Sequence, residues 1–224
     1  MTKLIYMHNP ELMQVHTKIK NIVQHDLLGL CLELEETPFY VKGGGQLADR
    51  GHVNSDSFKA DISNVVRTPE GRILHVCEIT SGDPTVNISI ECFVDIKSRT
   101  LNSKLHSAGH LIDQVIKYYK GGVLRPLKGC HYPGSCFLEY EVQDLNLDDL
   151  AAYIDNMLPH YIQADYRYIN NFDEKTHIKM LQIGSFDPVA CGGTHVRSSS
   201  ELKGLQVTKL KMKKGNLRIS YNIL

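Results

Sequence analysis

The chain has 224 residues, 42% of them hydrophobic, with 25 basic and 25 acidic side chains and no net charge. That length admits one large domain or two small ones with a packed core, and the neutrality excludes a protein that grips polyanions through global charge. No apolar run nears the roughly 18 residues of a membrane span, and the start Met1-Thr-Lys-Leu-Ile-Tyr-Met-His8 lacks a secretory leader's apolar stretch, so a cytoplasmic protein is expected. The cysteines at 31, 77, 92, 130, 136 and 191 form no CxxC pair and no framework spacing. Free thiols follow, with Cys31, Cys77 and Cys92 as ordinary buried residues.

The first ninety-odd residues predict strands. Leu28-Gly-Leu-Cys-Leu-Glu-Leu-Glu35 alternates apolar and polar, as a half-buried strand does. Thr37-Pro-Phe-Tyr40 breaks it, and Gly43-Gly44-Gly45 forces a loop. Phe58 to Arg67, Ile73 to Ile79 and Val86 to Val94 are further strands, with turns at Pro69-Glu-Gly71 and Gly82-Asp-Pro84. Short strands at this spacing predict a small barrel.

The pattern changes near residue 97. Leu101, Leu105, Ala108, Ile112, Val115, Ile116 and Tyr119 form a helical stripe that Gly121-Gly122 ends. A strand over Gly134 to Val142 follows, then a helix over Asn146 to Ile162 that starts at Asn146 or Asp148. Asp165 to Asn170 reads as a strand and Asp173 to Leu181 as a short helix. Gly204 to Lys211, the turn Lys214-Gly-Asn216 and Leu217 to Tyr221 read as a β-hairpin. The expected fold is α+β. A small β-barrel-like domain over 1–96 precedes an α+β domain with an antiparallel sheet over 97–224.

Two motifs carry chemistry. His106-Ser-Ala-Gly-His110 lies on the predicted helix, so its two imidazoles project from one face. Cys191-Gly-Gly-Thr-His195 repeats the four-residue spacing in a glycine turn. One thiolate and three imidazoles are a donor set for tetrahedral zinc. Ser107 stands where a zinc protease of the H-E-x-x-H type has its glutamate base, which excludes that mechanism. A closed set of four protein ligands suits a structural zinc, while catalytic zinc keeps an open position; the spacing leaves both readings open. His131 is either a pocket residue or an idle loop histidine. His8, His16, His25, His52, His75, His160 and His177 have no partner spacing.

HSAGHLID at 106–113 and CGGTHV at 191–196 resemble the editing domain of alanyl-tRNA synthetase and its freestanding AlaX relatives. Thr37-Pro-Phe-Tyr-Val-Lys-Gly-Gly-Gly-Gln-Leu-Ala-Asp-Arg-Gly51 is similar to the glycine-rich segment ahead of that domain. Lys128-Gly-Cys-His-Tyr-Pro-Gly134 is similar to the segment after the metal-binding helix. The resemblance implies a trans-acting hydrolase that cleaves the ester of a wrong amino acid on tRNA(Ala), chiefly serine, with glycine second. A synthetase pocket for alanine discriminates one methylene by only about 1–3 kcal/mol, so a second, hydroxyl-reading site has to remove what slips through.

It also implies zinc on His106, His110, Cys191 and His195. Substrate contacts follow at Gly44, Gly45, Gln46, Cys130, His131, Gly193 and Thr194, with no membrane and no obligate protein partner. The sequence departs from the synthetase pattern at Ser107 and Gly109, where His-Thr-Ala-Thr-His is common. It departs again at Leu127-Lys-Gly-Cys130, where Gln-Lys-Gly-Ser is frequent; the choice between serine and glycine stays open.

From Glu201 onward six basic residues face one acid, a local excess of five positive charges. Lys209, Lys211, Lys213 and Lys214 are candidates for phosphate contact with tRNA. The competing reading is an edge strand guarded by lysines.

Overall fold

A computed structural model describes residues 1–122, 124–142 and 145–224. The chain divides into two compact units: residues 1–43 with 47–100, and residues 44–46 with 101–224.

The first unit carries β1 (Lys3–Leu4), α1 (Ile5–His8), β2 (Gln14–His25), β3 (Gly29–Leu34), β4 (Glu36–Thr37), β5 (Gly51–Asn54), β6 (Phe58–Arg67), β7 (Ile73–Gly82) and β8 (Ser89–Val94). Six strands close a barrel in the order β2-β3-β7-β6-β5-β8, with β8 pairing antiparallel back to β2. Strand β6 shows why these sequences form walls. Phe58, Ala60 and Ile62 point into the core while Lys59, Asp61 and Ser63 face out, the period-2 alternation of a half-buried strand. Leu32, Leu34, Phe39, Val53 and Ile90 complete the interior. Asp49 and Arg99, both buried, pair beneath it. Arg99 also donates to the carbonyls of Pro10 and Pro38, at 2.7 Å each, and Asp49 accepts the Tyr40 amide at 2.6 Å. That network fixes both ends of the segment carrying the glycine-rich loop.

Helix α2 (Ile96–Lys117) leads into the second unit. There follow β9 (Arg125–Cys130), β10 (Phe137–Glu141), α3 (Leu147–Gln163), β11 (Tyr168–Asp173), β12 (Ile178–Ile183), β13 (Val189–Ala190), β14 (Leu205–Lys213) and β15 (Asn216–Ile223). A four-stranded antiparallel sheet has the order β14-β15-β10-β9, and a three-stranded one the order β11-β12-β13. Leu105, Leu111, Ile112, Val115 and Ile116 of α2 share this unit's core with Leu150, Ile154 and Leu158 of α3. The side chain of Asn146 caps α3 by accepting from the Asp148 and Asp149 amides.

The short helix expected over Asp173 to Leu181 is absent; β11, a turn and β12 occupy those residues. The Asp173 carboxylate accepts from the Lys175 amide at 2.8 Å and the Thr176 amide at 3.3 Å, and His177 takes a positive φ of 55°. The aspartate thus closes a turn instead of starting a helix. Among the described residues, no helix is long and apolar enough to cross a membrane.

Candidate metal centre

Helix α2 places His106 and His110 one turn apart, with ring centroids 4.9 Å from each other. The turn after β13 brings Cys191 and His195 to the same point. One ligand atom from each of the four residues lies within 4.8 Å of all the others. The Cys191 Sγ is 3.3 Å from His110 Nε2, 3.6 Å from His106 Nε2 and 3.4 Å from His195 Nε2. Tetrahedral zinc with ordinary Zn–S and Zn–N bonds separates sulfur from nitrogen by about 3.6 Å. The sulfur therefore stands from three imidazole nitrogens at the edge lengths of such a site, and the donor set fits zinc in chemistry as well as in spacing.

The outer nitrogens of two rings are tied down. His106 Nδ1 meets Gln46 Oε1 at 2.7 Å, and His195 Nδ1 meets Asn170 Oδ1 at 2.9 Å. Each amide oxygen accepts the ring N–H, which fixes the tautomer and leaves Nε2 with its lone pair toward the cluster. Gln46 does more. Its Nε2 donates to Thr194 Oγ1 at 2.8 Å, its Oε1 accepts the Thr194 amide at 3.1 Å, and Thr194 Oγ1 meets Ser103 Oγ at 2.7 Å. A loop residue thereby links the helix to the Cys191–His195 turn.

Glycine is required inside that turn. A Cβ on Gly193 would lie 2.0 Å from Cε1 of His106. Gly44 and Gly45 both have positive φ, 54° and 76°, and a Cβ on Gly45 would press to 2.6 Å from the Gly129 carbonyl oxygen. The Gly45 carbonyl accepts the His131 amide at 2.8 Å.

Burial holds the imidazoles of His106 and His195 well below their usual range and pushes His110 down to about 3, with neighbouring imidazoles adding to the effect. All are the neutral, ligating form. Burial pushes the Cys191 thiol up, while the Gly193 amide, 3.5 Å from Sγ, and the Lys179 ammonium pull it down. His110, Cys191 and His195 are only half-buried, so the cluster is accessible on their side, whereas His106 is enclosed.

Of the sequence-predicted contact residues, Gln46, Gly193 and Thr194 join this network. The His131 ring stacks 4.7 Å from His106, and its Nδ1 bonds the Tyr221 hydroxyl, which donates to the Leu105 carbonyl at 3.0 Å. Cys130 ends β9 opposite Phe137, half-buried and outside the network's described hydrogen bonds. Lys209, Lys211, Lys213 and Lys214 are exposed on the β14–β15 hairpin.

Four further residues belong to the surroundings of the cluster, and only Asp113, the last residue of HSAGHLID, lies in a quoted motif. Asn170 orients His195. Lys179, only 2% exposed, donates to the Gly193 carbonyl at 2.7 Å. Asp113 and Gln114 share the His110 face of α2. For Lys179 the signal is its inward slot on β12, between strand-like Ile178 and Met180, the place of a buried cation.

Two family models match the chain: class II (A) tRNA synthetases over residues 7–98, and the second additional domain of threonyl and alanyl tRNA synthetases over residues 178–220. Each match covers less than half of the chain, and each marks its segment as similar to these synthetases. More narrowly, the chain resembles the alanine-specific members and their editing proteins along most of its length. It is 26% identical to the alanyl-tRNA editing protein AlaX-L of Pyrococcus horikoshii, over 97% of this chain and 56% of that protein. It is 30% identical to the alanine–tRNA ligase of Tropheryma whipplei, over 86% of this chain and 25% of the ligase. The ligase of Shouchella clausii gives 26% over 85% and 24%. The chain thus spans about a quarter of the ligases it matches and just over half of the editing protein.

Proposed function

We propose that the protein is a zinc-dependent aminoacyl-tRNA hydrolase that deacylates mischarged tRNA(Ala), chiefly Ser-tRNA(Ala), with Gly-tRNA(Ala) as second substrate. In this reading residues 97–224 are the editing domain and residues 1–96 the N-terminal domain bearing the glycine-rich motif. His106, His110, Cys191 and His195 hold the metal. When bound, zinc supplies a charge that polarises an ester carbonyl or a water molecule. Gln46 and Asn170 keep the imidazoles in register, and Gly44, Gly45, Gly193 and Thr194 shape the approach of the aminoacyl group. Cys130 and His131 complete its surroundings, and the hairpin lysines take the tRNA backbone.

One observation supports this reading most: the glycine-rich loop's Gln46 bonds both a ligand imidazole and Thr194 of the ligand turn. A zinc knot that only held the fold together would need no such loop beside it. The closed set of four protein ligands favours a second reading, a structural zinc in a non-catalytic RNA-binding module.

The deciding experiment measures hydrolysis of Ser-tRNA(Ala), Gly-tRNA(Ala) and Ala-tRNA(Ala). Rapid loss of serine with alanine spared, abolished together with bound zinc in His106→Ala and Cys191→Ala, is the expected result. Tight tRNA binding with no hydrolysis by the zinc-loaded protein establishes the structural module instead.

A further inference from the structure

Helix α2 turns a second, polar stripe away from its core face. His110, Asp113, Gln114 and Lys117 follow the i, i+3, i+4, i+7 spacing that puts side chains on one side of a helix. They line a cavity of ≈ 710 Å³ closed by Pro126, Tyr140 and the β13 residues Val189 and Ala190. That volume lies in the range of small-molecule sites. The cavity begins at His110, a residue of the metal cluster, and ends at Lys117, seven residues along the helix. At 1.5 Å per residue this is about 10 Å.

Two of the residues that line it carry acceptors that the protein does not use up. Gln114 is 5% exposed, and its Oε1 has no hydrogen-bond partner. Buried oxygens are seldom left so, because each has given up its hydrogen bond to water. Asp113 accepts the Tyr140 hydroxyl, yet a carboxylate has room for about four such bonds. Burial raises its carboxyl to about 6, against the pull of that hydroxyl; above that pH an anion sits in the pocket. Among the described residues Lys117 is the one cation on the lining, and it is engaged by Asp187 at 2.8 Å on the surface. A buried negative charge next to an orphaned carbonyl calls for a ligand that is cationic and carries several N–H donors. A primary ammonium is such a group.

We infer that Asp113 and Gln114 receive the α-ammonium group of the aminoacyl ester, in the cavity that opens at His110. The inference rests on the aminoacyl-tRNA reading and makes these two residues binding residues that mark the substrate as an amino acid. An ester whose α-position carries a hydroxyl instead is then a poor ligand.

Two uncleavable probes test this: 3′-(L-serylamino)-3′-deoxyadenosine, and the same compound with a hydroxyl replacing the α-amino group. Each is titrated by calorimetry at pH 7.0 into the zinc-loaded wild type, Asp113→Asn and Gln114→Met, with zinc content and thermal unfolding measured for every sample. The wild type is expected to bind the ammonium probe at least tenfold more tightly. Asp113→Asn brings the two affinities within about twofold, and Gln114→Met narrows the gap several-fold without weakening the hydroxyl probe. Equal affinities in the wild type, an unchanged ratio in Asp113→Asn, or no binding of either probe overturns the inference, and the first needs no variant to fold. Deacylation of Ser-tRNA(Ala) alongside any of these leaves the proposed function standing. The expected ratio in a protein that cleaves no aminoacyl-tRNA does the reverse.

Discussion

Gly109 is the residue where the sequence and the structure explain each other best. Read as a departure from the synthetase pattern, it is a missing side chain. In the structure its place is taken: a Cβ there would lie 2.5 Å from His131 Cε1 and 2.9 Å from the Tyr221 hydroxyl. The imidazole fills the space that glycine leaves and lies against His106. Alanine favours a helix interior over glycine by about 1 kcal/mol, while overpacking a tight site costs about 1–3 kcal/mol. Gly109→Ala should therefore lower stability in the wild type and raise it in a His131→Ala background. A double-mutant cycle by urea unfolding reads this change of sign; additive effects would mean that the two positions do not meet. Gly193→Ala is harsher, since its Cβ would overlap the His106 ring. Purified Gly193→Ala should carry well under half the wild-type zinc, and full zinc loading would show that the turn can shift away.

At the scale of elements, strands and helices with one apolar face are legible in the sequence and those with mixed faces are not. Strand β6 alternates from Phe58 to Ser63, long enough to mark it as a strand, and the expected bounds Phe58 to Arg67 match those observed. The stripe from Leu101 to Ile116 gives α2. Strand β2, twelve residues long, shows no such pattern because its pairing with β3 slips between Ile19 and Asn21. Such a bulge changes which side chains face inward and breaks the alternation. Strand β12 is hidden for a different reason: Lys179 holds an inward position, which its bond to the Gly193 carbonyl helps to make tolerable.

His75 shows the same effect in the barrel. It has no partner spacing in sequence, yet it is fully buried. Its Nδ1 donates to the Leu32 carbonyl at 3.0 Å, and its Nε2 accepts from Thr37 Oγ1 at 2.8 Å. Burial pushes its pKa down to about 4. Below the unfolded value near 6.5, protons bind the unfolded chain and not the folded one, so folding weakens as the pH falls from 6.5 to 4 and levels off beneath. The loss is about 3 kcal/mol at roughly 1.4 kcal/mol per unit. Urea unfolding of wild type and His75→Gln at pH 7.0 and 4.5 should show a steeper acid loss in the wild type. Parallel losses would place the acid sensitivity in other groups.

For the whole molecule, charge is the property that neither composition nor single elements describe. Six of the 25 basic residues lie in the last 24 positions, against one acid. The structure reduces that excess. Arg218 is committed to Glu139 at 2.5 and 2.9 Å and lies 3.8 Å above the Phe137 ring, so its charge is answered within the sheet. Lys209, Lys211 and Lys213 alternate along β14, which puts them on one face, and Lys214 adds a fourth charge at the turn. Strand β14 is also the sheet's edge, where lysines discourage pairing with another chain. The two roles make opposite predictions for Lys211→Gln/Lys213→Gln. If the lysines meet tRNA phosphates, affinity falls in every sequence context. The slope of log affinity against log salt then flattens by about 0.7–0.9 for each phosphate no longer neutralised. If they only guard the edge, tRNA affinity and its slope stay as they are, and the variant self-associates at high concentration. We expect the first outcome, because the lysines share one exposed face while edge protection needs no such alignment. Filter binding from 50 to 300 mM salt, with light scattering on the same samples, separates the two. An unchanged slope in a protein that stays monodisperse would assign the lysines to neither task.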